Sequence, residues 1–259
     1  MTTPRSVALI TGASRGIGAA TARELGRRGY HVIVNYRVSA EAAGQVASDV
    51  EAAGGTATPI AADVTDPAQV QALTEKVTAE FGGIDVLVCN ANAAQPPVAP
   101  LAGLSWQEFI GKVSDELAGV FFITQRVLEA MQPRGSGRIV YISSVAAETT
   151  RTGWISHSTA KAALNTFSRH VAAEAGRYGI TVNTIAPGAV RTEASAGIVT
   201  AELEERIRGT SVLGRMLEPE DVALVVGTLA DTTMGAVTGT LIRVDAGSGI
   251  LSGGRPSRV

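Results

Sequence analysis

His157 and Lys161 stand four residues apart in the stretch HSTAK, so on a helix both side chains share a face and point at whatever that face lines. An imidazole has an ordinary pKa of about 6.5, and a neighbouring ammonium disfavours its charged form. Left to that pair alone, His157 is a neutral base. A second stretch, TGASRGIG at Thr11–Gly18, has the make-up of a phosphate cradle. It follows an apolar run and opens a helical pattern, with Gly12, Gly16 and Gly18 where a tight turn must let a pyrophosphate approach backbone N–H groups. In that strand-turn-helix setting it reads as a dinucleotide site. The next apolar run ends in Asn35, Tyr36 and Arg37. None is the acidic residue that accepts hydrogen bonds from both ribose hydroxyls of NAD. Arg37 with Arg15 could pair with a 2′-phosphate, so NADP(H) is favoured over NAD(H).

Both groups need elements to hold them. Seven short apolar runs recur along the chain, at residues 7–10, 31–35, 57–61, 85–89, 138–143, 181–186 and 240–245. Several are apolar at consecutive positions, as in strands covered on both faces. Helical patterns fill the intervals, and two carry start signals: Asp66 before Pro67, an N-cap with proline at the first helical position, and Ser105 with Glu108, a capping box. Alternating strands and helices with right-handed crossovers predict an α/β fold: one doubly wound domain over residues 1–259, a seven-stranded parallel sheet with helices on both faces and the ligand crevice at the carboxyl ends of the strands. The long interval Arg191–Arg215 predicts a loop with a short helix over that crevice, and the tail SGGRPSRV reads as flexible.

The 259 residues suffice for one large core, and 22 basic against 24 acidic residues supply no field that would draw the chain to nucleic acid or anionic lipid. A small-molecule partner is therefore expected. Cys89 is the single cysteine, which precludes an internal disulfide, and no run approaches the roughly 20 apolar residues of a spanning helix. The opening MTTPRSVALI is too short in apolar residues for a secretory signal, so a cytoplasmic location is expected. His31 and His170 are scattered and read as packing or surface residues, so no metal site is expected.

TGASRGIG, DVTD (63–66), GRIVYISS (137–144), APGAVRT (186–192) and LIRVDAG (241–247) together resemble the classical short-chain dehydrogenase/reductase family, in particular its 3-oxoacyl carrier-protein reductase and polyketide ketoreductase branch, over almost the whole chain. The resemblance implies a Rossmann fold and a nicotinamide cofactor. Gly12, Ser14, Arg15, Gly16, Ile17 and Gly18 would then hold the pyrophosphate end and Tyr36 and Arg37 the ribose corner. Asp63 and Val64 would flank the adenine, Asn90 would sit beside the cofactor, and Pro187, Gly188, Val190 and Thr192 would hold the nicotinamide end, with Lys161 on its ribose. A homotetramer is implied as well, and FFITQRVLEAM (121–131) has apolar residues at a spacing suited to such packing.

The family exchanges hydride and proton with a tetrad of Asn, Ser, Tyr and Lys. Ser144 lies at the family's distance of thirteen residues before position 157, and Lys161 is in place, but position 157 is His. The family's Asn-Leu-x-Gly signature is ELAG here, which puts Glu116 at the catalytic Asn, and its Asn-Ala-Gly is NAN, with Asn92 for Gly. These departures suggest a rewired site. Ser144 would bind the substrate oxygen, His157 would take the tyrosine's place, and Glu116 would pair with Lys161 or contact His157, making imidazolium available near neutral pH. The primary expectation is an NADP(H)-dependent ketone reductase or secondary-alcohol dehydrogenase. The alternatives are non-redox acid-base chemistry on the same fold (dehydration, isomerisation or cyclisation) and an inactive NADP-binding partner protein. Trp154, Val145 and Ile198, with the stretch AQPPVAPL (94–101), would line a pocket for an apolar or aromatic carbonyl compound.

Overall fold

The structure, a computed structural model, describes residues 5–92, 95–196 and 199–251. Ala94, Ile198 and the tail from Ser252 onward lie outside them.

Seven strands form among the described residues: β1 (Val7–Ile10), β2 (His31–Tyr36), β3 (Thr56–Ala61), β4 (Val86–Cys89), β5 (Gly137–Ile142), β6 (Ile180–Pro187) and β7 (Leu241–Val244). They pair in the order β3-β2-β1-β4-β5-β6-β7, every neighbour parallel. Consecutive apolar residues are needed because side chains alternate between faces and both faces are covered. Leu9, Ile33, Leu87, Ile139 and Val182 enter one core layer, while their neighbours Ala8, Ile10, Val32, Val34, Val86, Val88 and Val140 enter the other.

The first layer is closed by α3 (Pro67–Phe81), α4 (Trp106–Met131) and α5 (Ile155–Ala175), the second by α1 (Gly16–Arg27), α2 (Ala40–Ala52) and α8 (Pro219–Ala230). Local chemistry starts two of them as expected. Asp66 accepts hydrogen bonds from the backbone N–H groups of Ala68 and Gln69, and Ser105 and Glu108 form a reciprocal capping box.

The described residues of 191–215 hold two helices where one was expected, α6 (Glu193–Ala196) and α7 (Ala201–Thr210). Thr200 caps the second by accepting from the N–H of Leu203, and Arg191 reaches back to Glu204 at 2.7 Å. A four-residue helix and a polar ten-residue one leave no apolar stripe for a periodicity reading to detect.

His31 packs as expected, stacked on Phe81 at 4.2 Å with its ring nitrogens against the hydroxyls of Thr56 and Thr58, and His170 is exposed on α5. In this topology the chain reverses direction across the sheet between β1 and β4, and the crevice opens beyond their carboxyl ends.

Candidate active site

A cleft of about 460 Å3 lies at that crevice. Its floor is the turn after β1. Thr11 ties the turn to β4, accepting from the N–H groups of Asn90 and Ala91 at 3.0 Å each, and the Asn90 amide donates back to the carbonyls of Thr11 and Gly12. Gly12 adopts φ +61° and packs so closely that a Cβ would sit 2.8 Å from Ala91 Cα. Gly18 faces the turn from inside α1, where a Cβ would meet the Gly12 carbonyl oxygen at 2.4 Å and the Asn90 amide nitrogen at 2.5 Å. The glycines thus let α1 begin directly against the loop. Arg15, at its N-cap, supplies no side-chain cap, and the first turn holds no acidic residue, which leaves N–H groups and the positive end of the helix dipole for an anion. Substituting Gly18 with Ala should therefore weaken nucleotide binding by at least tenfold and cost about 1–3 kcal/mol of stability, measured by calorimetry and urea denaturation.

At the ribose corner, Arg15 donates to the Ser39 hydroxyl at 2.7 Å, and the Arg37 guanidinium lies 3.7 Å from the Asp63 carboxylate. Tyr36, Asp63 and Val64 line the same end of the cleft. The Asn35 side chain turns into the sheet, donating to the carbonyls of Ile60 and Ala62.

At the other end, α4 and α5 bring a buried chain of charges together. Lys161 donates to the Ile142 carbonyl at 2.9 Å and to Glu116 Oε1. The other carboxylate oxygen of Glu116 accepts from Lys112 at 2.6 Å, and Lys112 donates in turn to the Asn92 side-chain oxygen. Glu116 and Lys112 are each only 2 % exposed. Burial opposes the carboxylate's charge, but the two ammoniums outweigh it and hold Glu116 down to about 2.

His157 lines the cleft beside Lys161, its ring edge-on to Trp154 at 5.3 Å, and its Nδ1 is buried without a hydrogen-bond partner among the described residues. The expected pairing of Glu116 with Lys161 is present, yet its consequence is the reverse of the one expected. Glu116 uses both oxygens on lysines, and burial together with the charges of Lys161 and Lys112 pushes His157 down to about 4. His157 is a neutral imidazole at pH 7.

Of the residues expected at a cofactor, Gly12, Ser14, Arg15, Gly16, Ile17, Tyr36, Arg37, Asp63, Val64, Asn90, Lys161 and Thr192 line the cleft. Gly18, Pro187, Gly188 and Val190 do not. Gly18 packs under the loop, and Gly188 packs against Asp245, where a Cβ would meet its Cβ at 2.9 Å. Ser144 lies outside the lining, and its hydroxyl accepts from the Ala146 N–H at 3.1 Å. Trp154 and Val145 also stay outside it, and Ile198 is not among the described residues. Sequence reasoning passed over Ser39, Glu193 and Lys112. Lys112 carried a signal, its i,i+4 spacing to Glu116.

No group of three or more His, Cys, Asp or Glu among the described residues could hold a metal, and no helix among them is long and apolar enough to cross a membrane. Residues 12–249 match the family described as Enoyl-(Acyl carrier protein) reductase. The chain is 38% identical over 241 residues to the cis-4-hydroxycyclohexanecarboxylate dehydrogenase of Sinomonas cyclohexanicum, covering 93% of this chain and 95% of that one. It is 36% identical over 242 residues to a 3-oxoacyl-[acyl-carrier-protein] reductase of Synechocystis, covering 93% and 96%. Among solved structures, it is similar to a gluconate 5-dehydrogenase from Burkholderia cenocepacia in complex with NADP and tartrate, with a TM-score of 0.86, 31% identity and coverage of 93% and 94%.

Proposed function

The chain belongs to the short-chain dehydrogenase/reductase family of oxidoreductases, and on that premise we propose that it moves a hydride between NADP(H) and a secondary alcohol or ketone, with His157 as the proton-exchanging group. The observation that carries this is the sharing of one cleft by the glycine-rich turn, Lys161 and His157. The uncapped start of α1 fits a pyrophosphate, and Arg15, Ser39 and Arg37 supply donors for a 2′-phosphate. The solved relative bound to NADP supports the same preference. When bound, the nicotinamide supplies or accepts the hydride.

The chain's own residues handle the proton and the positioning. Lys161, braced by Glu116 and the Ile142 carbonyl, orients the cofactor's ribose. His157, with its pKa held down to about 4 by burial and the two lysines, rests as the neutral imidazole at pH 7 and so stands ready as a base, a weaker one than a free imidazole. That favours alcohol oxidation as the direction the site is set for. Ser144 binds the substrate oxygen after its hydroxyl turns from the Ala146 N–H. The substrate is a small molecule with an apolar or aromatic body resting near Trp154, whose ring already covers His157. Assembly as a homotetramer in the cytoplasm belongs to the same proposal, supported by the exposed Trp106 and Phe121 of α4, at 64% and 47%.

The test is reduction of NADP+ with a panel of secondary alcohols, and oxidation of NADPH with the matching ketones, followed at the nicotinamide band. Turnover with NADP+ above that with NAD+ is expected, and Arg15→Ala should erase about tenfold of that preference, the loss of one charge-assisted hydrogen bond. Nucleotide binding with substrate consumed and no absorbance change would transfer the reading to non-redox acid-base chemistry.

A further inference from the structure

Glu116 and Asn92, two of the residues at which this chain departs from the family's site, are joined through Lys112. It stands one turn before Glu116 on α4 and bridges Glu116 to Asn92, the residue at the family's glycine position beyond β4. Together with Lys161 it places two ammoniums on one carboxylate, at 2%, 6% and 2% exposure for Lys112, Lys161 and Glu116. Burying an ion is costly, and a neutral pair would be the cheaper arrangement: Glu116 and Lys161 already balance. A second buried cation on the same carboxylate needs a reason. The two ammoniums hold Glu116 in one orientation, one carboxylate oxygen on each lysine.

We propose that Lys112 is a positioning residue of the active site, which fixes Glu116 onto Lys161, ties α4 to the Asn92 loop, and adds a positive charge to the surroundings of His157. The proposal rests on the reading of His157 as the proton-exchanging group. The charged groups acting on His157 are Lys161 from its own helix and Lys112 and Glu116 from α4, with Lys112 lowering and Glu116 raising its pKa. The exposed Asp115 acts on Lys112 from the same helix.

The experiment is a titration of the histidine ring resonances by NMR in the cofactor-free protein, with His157→Gln assigning the signal and His31 and His170 as internal controls. Lys112→Met should raise the His157 midpoint by about one pH unit or more, with the two controls unmoved, and Lys112→Arg should leave it near the native value. An unmoved midpoint in Lys112→Met, or an equal rise in Lys112→Arg, overturns the proposal. If the methionine variant does not fold, Lys112→Gln keeps a donor toward Glu116 without the charge, and the same shift is required of it. Because the titration needs no turnover, a shifted midpoint in a protein without nicotinamide turnover would sink the oxidoreductase proposal, and with it the part of Lys112 in proton exchange, while an unmoved midpoint sinks this proposal whatever the turnover.

Discussion

Replacing Glu116 with Gln is expected to remove about 3–5 kcal/mol of unfolding free energy at pH 7, because it takes away the counter-charge that two buried ammoniums share. The carboxylate accepts from Lys112 at 2.6 Å and from Lys161, one oxygen on each. The variant should recover at high pH. With no carboxylate to hold it charged, Lys112, already lowered by burial, titrates further below its unfolded value of about 10.5. The native state then binds fewer protons than the unfolded chain, so its stability rises with pH up to that value. The parent protein behaves oppositely in acid. Glu116 is held at about 2 in the folded state against 4.5 unfolded, so its contribution is complete above 4.5 and is lost as pH falls toward 2. Urea midpoints at pH 4, 7 and 9.5 for both proteins would check this. An equal loss at pH 7 and 9.5 would mean that the substitution acts through packing, and the charge account would fail.

How much of this was legible in the residues can be followed element by element. Strands such as Val7–Ile10 and Val86–Cys89 announce themselves because double burial demands consecutive apolar side chains, and the starts of α3 and α4 because Asp66 and Ser105 satisfy the first N–H groups locally. The glycine-rich turn was legible for the same reason: its chemistry is backbone chemistry, and three glycines in eight residues have few other uses in that place. The charge state of His157 was not. Pairing of Glu116 with Lys161 follows from position, but His157 is lowered first by burial and then by Lys161, with Lys112 adding to both, and the spacing of Lys112 to Glu116 reads equally as a solvated i,i+4 pair. Only burial, 2% exposure for both, separates the two cases, and burial is a property of the packed helices. The same holds for α7, whose polar sequence is tied back by Arg191 to Glu204, a contact made across the loop.

His157→Phe should reduce turnover by a factor of about 100 to 10,000, the usual worth of a positioned acid or base, while nucleotide affinity stays within about threefold. The ring is placed to act: it lines the cleft with Lys161 and rests edge-on to Trp154, a contact that phenylalanine keeps. A loss of binding along with turnover would mean that the ring only shapes the cleft. A second readout comes from stability and needs no substrate. His157 falls from 6.5 to about 4 on folding, so the native state binds fewer protons than the unfolded chain between those values. Its contribution is whole above pH 6.5 and is lost progressively as pH drops to about 4, to the extent of roughly 3 kcal/mol. The phenylalanine variant should lose less stability than the parent across that window and run parallel to it below pH 4, where Glu116 dominates. Should the parent show no decline between pH 6.5 and 4 beyond that of the variant, His157 is charged in the folded protein. The site would then be set for donating a proton to a ketone, the reverse of the direction its two lysines impose.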